Sequence, residues 1–298
     1  MGGELRGYRF AEAALARSPL QGIAGQVSRR RLCVLAYHGV SDADRFTAHL
    51  DWLCGHTNPV ALSDVRAAMR DGRPLPPHAV LVTFDDGERS VLEVGAPLLR
   101  ERGIPGVAFV VAGVVDTDTP FWWTEVEALA PAHEATALVR RFKRLPDSER
   151  REAVRRLRAQ ADQPVRTSQL TSDELRKLEL DGIAIGNHSL SHPCLDNCTD
   201  DVLRAEVQDA HERLTEMLGH QPDAFAYPNG NWDSRVRSEV SAAGYDLAFA
   251  FDHRLSPVPA PDPLVISRVR VDATASLERF RILVSGLHSG IHRMRGLP

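Results

Sequence analysis

Cysteine and long apolar runs are both scarce in this chain of 298 residues. The four cysteines, Cys33, Cys54, Cys194 and Cys198, are too few and too scattered for a disulfide framework, which favours a reducing compartment. No stretch offers the roughly 20 consecutive apolar residues that a membrane helix needs. Residues 1–31 contain no continuous apolar segment with a cleavage site. We therefore expect a soluble, cytoplasmic protein without an integral membrane segment.

Lysine is scarce as well, since only Lys143 and Lys177 occur among the 36 residues that are lysine or arginine. The formal net charge is −4, so no overall basic field argues for a nucleic-acid partner. The arginine-rich stretch 140–158 reflects the arginine usage of the whole chain. A hydrophobic content of 43% is enough for a large buried core. Any partner must therefore be inferred from a specific site, and nothing in the sequence indicates an oligomeric state.

Apolar, β-branched segments alternate with segments of helical spacing along most of the chain, which is typical of a parallel α/β fold. Seven strands are predicted, at residues 32–37, 80–84, 107–112, 183–186, 224–227, 247–251 and 264–271. A capping box at Thr171 and Glu174 predicts the start of a helix that runs to Leu180. This alternation of strands and helices is interrupted at about 113–170 by a charged, mostly helical insertion. We expect residues 1–298 to form a single catalytic domain that carries this insertion.

Polar side chains recur at the ends of the predicted strands or within a few residues after them. They are His38, Asp85, Asp86, His188, His192 and Tyr227. In an α/β barrel the carboxyl ends of the strands face one mouth, where active sites are built. One carboxylate and two imidazoles suit a catalytic divalent metal site, with zinc as the expected ion. A second carboxylate next to them can act as a base toward water, and a further histidine can protonate a leaving amine.

Each of these signals also has an ordinary structural explanation. An isolated Asp-Asp-Gly is usually a turn, and an isolated pair of histidines four residues apart is usually a coincidence or part of a surface helix. His38 alone would more often be a histidine at a strand end with its hydrogen bonds satisfied. Cys194 and Cys198 offer a rival zinc site with the two histidines, but a second C-x-x-C pair is missing. The combination of all these residues at strand ends favours a metal hydrolase.

Two motifs resemble those of the NodB-homology polysaccharide deacetylases, the fourth carbohydrate esterase family. Residues 83–87, TFDDG, are similar to the first motif, and residues 188–193, HSLSHP, are similar to the second. The resemblance covers about residues 32–287 apart from the insertion. It implies a distorted (β/α)7 barrel in which Asp85 is the catalytic base. It also implies that Asp86, His188 and His192 are the metal ligands.

The third motif of that family is similar to residues 227–230, YPNG, and the resemblance implies that the backbone N–H of Tyr227 helps to hold an oxyanion. An arginine that tethers the base commonly begins this motif, but here Ala226 stands in its place. We take Arg268, on the last predicted strand, as the candidate tether. A pairing of Arg268 with a surface carboxylate is the alternative.

The late motif of the family, which carries the general acid, is not matched by Leu287 and His288. Residues 35–40, LAYHGV, instead resemble the opening motif of a permuted branch that includes the biofilm poly-N-acetylglucosamine deacetylases. This resemblance assigns His38 as the general acid.

The expected function is metal-dependent removal of an acetyl group from an N-acetylated amino sugar, either a glycoside, a sugar precursor or a glycosylated natural product. A metal amidase or deformylase that acts on a non-sugar amide is the first alternative. A non-catalytic carbohydrate-binding or scaffold protein is the second. Trp122, Trp123 and Trp232 can stack on a sugar ring, or the first two can pack the insertion onto the barrel, where it can act as a lid.

Overall fold

Parallel strands and helices alternate through residues 18–294, the part of the chain that the computed structural model describes, with side chains described as far as residue 290. The strands are β1 Cys33–Tyr37, β2 Asn58–Pro59, β3 Ala79–Phe84, β4 Gly106–Val110, β5 Ile183–Asn187, β6 Phe225–Ala226, β7 Ala248–Phe249 and β8 Val269–Arg270. The helices are α1 Pro19–Ser28, α2 Ala43–His56, α3 Leu62–Asp71, α4 Ala96–Glu101, α5 Trp122–Leu129, α6 Ala135–Phe142, α7 Asp147–Ala159, α8 Ser172–Leu180, α9 Asp200–Arg204, α10 Ala210–Leu218, α11 Ser234–Ala242, α12 Leu277–Val284 and α13 Leu287–Met294.

One parallel sheet runs in the order β7, β6, β5, β4, β3, β1, β8, and the short β2 pairs with β3. The last segment pairs on both sides, because Ile266 bridges to Phe249 of β7 while Val269 and Arg270 pair with β1. The sheet thereby curls into a barrel whose closing strands are short. This confirms the predicted distorted (β/α)7 barrel. The predicted strand at residues 264–271 is divided between its two neighbours, which explains why only two of its residues count as β8.

Alternate side chains of each strand point to opposite faces, and the two faces are buried in different ways. Val34 and Leu81 pack inside the barrel with Phe109, whereas the neighbouring Leu35 and Val82 pack outward against the helices. Because both faces are covered, the strands are almost continuously apolar, as the sequence indicates. Polar groups can then follow only where each strand ends.

The capping box predicted at Thr171 is present, because its hydroxyl accepts from the Glu174 N–H and the Glu174 carboxylate accepts from the Thr171 N–H. Residues 200–218 form three consecutive helical pieces, namely α9, a π-helical turn at Ala205–Asp209, and α10. Within the described residues, no helix combines the length and the apolar character that crossing a bilayer requires. The first seventeen residues of the stretch 1–31, on which the expected absence of a leader partly rests, lie outside the described residues.

Three helices, α5, α6 and α7, fill the segment between β4 and α8 and form a small apolar core of their own. The members of this core include Trp122, Val126, Phe142 and Val154. We refer to residues 122–159 as the helical cap. It lies beside the carboxyl ends of the strands, because Trp123, Glu127, Val139 and Lys143 of the cap line the same cavity as Asp85 and His188.

Candidate active site

The strand register brings the predicted residues to one level of the barrel. Tyr37 pairs with Phe84, so His38 and Asp85 both follow the last paired residues of neighbouring strands. On the other side, Val110 pairs with Asn187, and the His188 N–H donates to the Val110 carbonyl at 2.9 Å. Parallel strands end at the same edge of a sheet, which is why polar residues far apart in the sequence converge here.

Asp85 is held by the guanidinium of Arg268. The Nη1 atom donates to Oδ1 at 2.6 Å and the Nη2 atom donates to Oδ2 at 2.9 Å, and both residues are buried. Burial raises the pKa of Asp85, but the charge of Arg268 and its hydrogen bonds bring this pKa below its ordinary value. Arg268 also donates to Thr83 Oγ1 and the Ala250 carbonyl. The carboxylate predicted as the base is therefore buried and paired, and its partner is Arg268, the residue that we took as the candidate tether, directly before β8.

Asp86, His188 and His192 bring one ligand atom each to within 4.8 Å of one another, and all three are buried. Asp86 Oδ1 lies 3.5 Å from His188 Nε2 and 3.3 Å from His192 Nε2. His188 Nδ1 lies 2.7 Å from the Ala226 carbonyl and must donate to it, which leaves the Nε2 lone pair facing Asp86.

These three residues fit a divalent metal ion. Asp86 Oδ1 is buried and has no hydrogen-bond partner among the described residues. Burial and the neighbouring charges of Asp85 and Glu88 raise the pKa of Asp86 well above its ordinary value. Burial lowers the pKa of His188 to about 4 and that of His192 well below its ordinary value, so both imidazoles are neutral near pH 7. A cation relieves the cost of an ionised Asp86, and neutral imidazoles are ready to bind it.

The backbone at the ligands has an unusual conformation. Asp86 has φ of 73°, Ser189 of 69° and His192 of 57°, all in the left-handed region that non-glycine residues rarely occupy. The Asn187 side chain accepts from the Ser189 N–H at 2.8 Å, and the Ser189 hydroxyl accepts from the His192 N–H at 2.9 Å. Such local hydrogen bonds stabilise a strained turn, and strain of this kind is frequent at functional sites.

The loop between the two histidines is also held from outside, by Glu206 and Arg151, which sequence analysis missed, and by Trp122. The buried carboxylate of Glu206 accepts from the Ser191 N–H at 2.8 Å, from the Ser191 hydroxyl at 2.5 Å and from Arg151 Nη2 of the cap at 2.9 Å. Trp122 Nε1, also of the cap, donates to the His192 carbonyl at 3.0 Å. A usable signal was present, because Glu206 is an acidic residue within the otherwise apolar stripe of its helix.

A cavity of about 270 Å³ opens at these residues. Its lining consists of His38, Asp85, Asp86, Trp123, Glu127, Val139, Lys143, His188, His192, Asn229, Gly230, Phe251 and Arg270. His38 is half-buried there, and burial lowers its pKa although the charge of Asp85 acts in the opposite direction. Lys143 and Arg270 are basic groups of the cavity that sequence analysis did not identify.

Tyr227 does not fit the oxyanion role that the motif implies. Its N–H donates to the Phe249 carbonyl at 3.1 Å, and its hydroxyl donates to the Leu264 carbonyl at 2.8 Å. Tyr227 is fully buried in an apolar cluster with Phe225 and Val236 and does not line the cavity. Asn229 and Gly230, the next residues of the same motif, are the ones that reach the cavity.

Of the other aromatic and thiol candidates, only some lie at the cavity. Trp123 lines the cavity, with its ring 4.6 Å from that of His192, whereas Trp122 packs in the cap and Trp232 lies against Tyr227. The rival zinc ligands Cys194 and Cys198 are outside the metal-ligand group. Burial raises the pKa of Cys194 to about 11 and that of Cys198 to about 12, so both remain thiols.

Sequence comparisons with known proteins agree on one family. A family model described as polysaccharide deacetylase matches residues 72–248, which is more than half of the chain. The Bacillus subtilis (strain 168) protein YxkH is 20% identical over 228 residues, which cover 73% of this chain and 63% of YxkH. The chain therefore spans less than two thirds of that relative. A segment of 59 residues is 42% identical to the Escherichia coli (strain K12) poly-β-1,6-N-acetyl-D-glucosamine N-deacetylase, covering 20% of this chain and 9% of that protein.

Solved structures agree with the observed fold. IcaB from Ammonifex degensii superposes with a TM-score of 0.63 at 19% identity, covering 87% of this chain and 97% of IcaB. The Streptococcus pyogenes deacetylase PplD, solved with acetate, superposes with a TM-score of 0.63 at 16% identity, covering 86% of this chain and 98% of PplD. At these identities the likeness shows the fold alone.

Proposed function

The chain belongs to the polysaccharide deacetylase family, and from this we propose that it is a metal-dependent hydrolase that removes the acetyl group from an N-acetylated amino sugar. Its E. coli relative is named for deacetylating poly-β-1,6-N-acetyl-D-glucosamine, which supports an acetamido sugar as the substrate class. The name alone says nothing about the size of the substrate. We also propose that residues 1–298 act as one catalytic domain, with the segment 113–170 covering its mouth.

The observation that carries the proposal is the pair of neighbouring carboxylates with opposite environments. Asp85 is ionised and paired with Arg268, whereas the carboxylate of Asp86 faces the neutral imidazoles of His188 and His192. Carboxylates whose pKa values are pushed apart are typical of sites where one group acts as a base and the other binds. A structural ion pair would not need the second carboxylate or the strained turn at His192.

In the proposed mechanism, Asp86, His188 and His192 hold a divalent cation, for which zinc is our candidate. When bound, such an ion polarises a carbonyl and makes water a better nucleophile near neutral pH. Asp85, kept ionised by Arg268, accepts a proton from the attacking water. His38, on the neighbouring strand end, delivers a proton to the sugar nitrogen as the C–N bond breaks and acetate leaves. Arg268 acts by positioning Asp85 and does not touch the substrate.

The decisive experiment measures deacylation of a panel of N-acetylhexosaminides by the 298-residue chain, after chelation and after zinc is restored. Acetate release is expected together with a product lighter by one acetyl group, and both should depend on the metal. Acetylated peptides and formamides belong in the same panel. Turnover of peptides or formamides alone would replace the proposal with a non-sugar amidase, and turnover of nothing in the panel by zinc-loaded protein would contradict it.

A further inference from the structure

Two cations in the active cavity have no role in the proposed mechanism. Lys143 comes from the loop that follows α6 of the cap, and Arg270 is the last residue of β8. Both line the same cavity as Asp85 and His38. Neither has a carboxylate within ion-pair distance among the described residues. They are therefore free to interact with a bound molecule.

Lys143 is the more unusual of the two. It is half-buried, and its Nζ donates to the neutral amide oxygen of Asn229 at 2.5 Å. Burial lowers the pKa of Lys143, and neither Asp86 nor Glu127 offsets this fully. Burying a cationic side chain without a counter-ion costs solvation free energy. The presence of Lys143 in the cavity therefore indicates that its charge serves a function.

The position of Arg270 on β8 determines which face of the sheet its side chain lies on. Residues two apart on a strand face the same side, so Arg270 faces the same side as Arg268, one layer nearer the mouth. Arg268 is bound to Asp85, whereas the Arg270 side chain is exposed into the cavity. Asp272, the nearest acidic residue along the chain, accepts hydrogen bonds from Thr274, which together with the more distant charge of Arg270 lower its pKa, and it forms no ion pair with Arg270.

The remaining charges of the cavity do not cancel these cations. Asp85 is neutralised by Arg268, and Asp86 faces the proposed metal ligands. Glu127, the one other acidic residue of the lining, is exposed on the cap. With a divalent ion bound, the cavity carries an excess of positive charge, which attracts anions.

The geometry points to a substrate with an oxyanion group: an N-acetylated amino sugar that carries a phosphate ester or a carboxylate, bound by Lys143 and Arg270. This inference rests on the proposed function and specifies its substrate class. The cavity of about 270 Å³ is slightly smaller than the range of about 300–1,000 Å³ that is usual for small-molecule sites, and the cap residues Trp123 and Val139 line it. A single charged sugar unit therefore fits this cavity better than the interior of a neutral polymer.

The test compares N-acetylglucosamine with N-acetylglucosamine 1-phosphate, N-acetylglucosamine 6-phosphate and N-acetylmuramic acid. Binding is measured by calorimetry on zinc-loaded and on metal-free protein, and kcat/KM is measured by acetate release. The metal-free arm shows whether a phosphate binds only by coordinating zinc. Each charge-assisted hydrogen bond should strengthen binding by about tenfold or more. We expect at least one anionic sugar to bind about tenfold more tightly than N-acetylglucosamine in both metal states.

The substitutions Lys143→Met and Arg270→Gln should each remove most of this preference for the anionic sugar. Lys177→Met is the matched control, because Lys177 is exposed on α8 and does not line the cavity. Equal binding of neutral and anionic sugars, or equal losses for both classes in Lys143→Met, would overturn the inference. Deacetylation of neutral sugars without any preference would leave the proposed function intact. Tight binding that depends on Lys143, without turnover of any sugar, would refute the function and support the anion site.

Discussion

Asp85 and Asp86 are adjacent in the sequence, yet the structure gives them opposite surroundings. Asp85→Asn should lower kcat by roughly 10²–10⁴-fold, because the amide cannot accept the proton of water. Zinc affinity should stay close to that of the wild type. His188→Ala should lose both activity and zinc, since it removes a ligand. Steady-state kinetics and a competition assay with a zinc chelator measure both quantities, and full turnover by Asp85→Asn would exclude Asp85 as the base.

Arg268 gives a second prediction at the scale of single residues. Arg268→Ala leaves the Asp85 carboxylate buried without its partner, so the free energy of unfolding should fall by about 3–5 kcal/mol. In the Asp85→Asn background the same substitution should cost much less, because no buried charge remains. Denaturant titrations of the four proteins measure this coupling.

Arg237→Ala is the matched control for this cycle. Arg237 also binds a carboxylate through two nitrogen atoms, at Asp262, but this pair is partly exposed. Its loss should cost no more than about 1 kcal/mol. Additive effects of Arg268→Ala and Asp85→Asn would mean that their contact contributes nothing to stability.

At the scale of elements, the helical cap contacts the candidate metal ligand His192 through Trp122 and the loop before it through Arg151 and Glu206. Trp122→Phe keeps the ring in the cap core but removes the N–H that binds the His192 carbonyl. We expect zinc affinity to fall by about tenfold, the low end for losing a partner of a ligand. Trp52→Phe, which alters an aromatic contact between α2 and α12, serves as the control. An unchanged zinc affinity in Trp122→Phe would mean that the cap covers the site but does not help to position His192.

Helix α8 links the cap to β5 and begins with the capping box at Thr171. Thr171→Ala should lower the free energy of unfolding by about 1 kcal/mol, because the Glu174 N–H loses its acceptor. Thr199 stands at the same position before α9 but makes no side-chain capping hydrogen bond. Thr199→Ala should therefore cost much less, and thermal unfolding of both variants compares them directly. Equal losses would attribute the effect to something other than capping.

For the whole molecule, stability should depend on pH through the buried His49. Its Nε2 donates to the Ala275 carbonyl at 3.0 Å and its Nδ1 accepts from the Tyr37 hydroxyl at 3.3 Å, an arrangement that needs the neutral ring. Burial lowers the pKa of His49. Its contribution is therefore complete above the unfolded pKa of about 6.5 and is lost as the pH falls toward the folded value.

Urea titrations between about pH 8 and pH 5 should show the free energy of unfolding falling on the acid side, with a smaller slope in His49→Gln. The contribution of His220 to stability has the opposite pH dependence, because hydrogen bonds to Gln221 and Glu179 raise the pKa of His220. Its contribution is present at low pH and is lost as the pH rises through the folded value. An identical pH dependence in wild type and His49→Gln would show that His49 does not contribute.

The sequence by itself determined the alternation of strands and helices, the parallel sheet and the chemical groups at the strand ends. These follow from local patterns, since a strand that is buried on both faces must be apolar and can carry polar groups only beyond its end. The motif residues Asp85, Asp86, His188 and His192 could be identified for the same reason. Helix ends with a clear chemical signal, such as Thr171, were equally predictable.

Only the tertiary structure decided which distant groups meet. Arg268 reaches Asp85 across 183 residues because the last segment closes the barrel, and no local pattern encodes that closure. Lys143 and Trp122 reach the site through the packing of the cap, whose helices have no fixed spacing from the motifs, and Glu206 reaches the loop of His192 from the π-helical turn before α10. Tyr227 was placed wrongly for the same reason, because pairing between β6 and β7 uses the N–H that the motif alone left available.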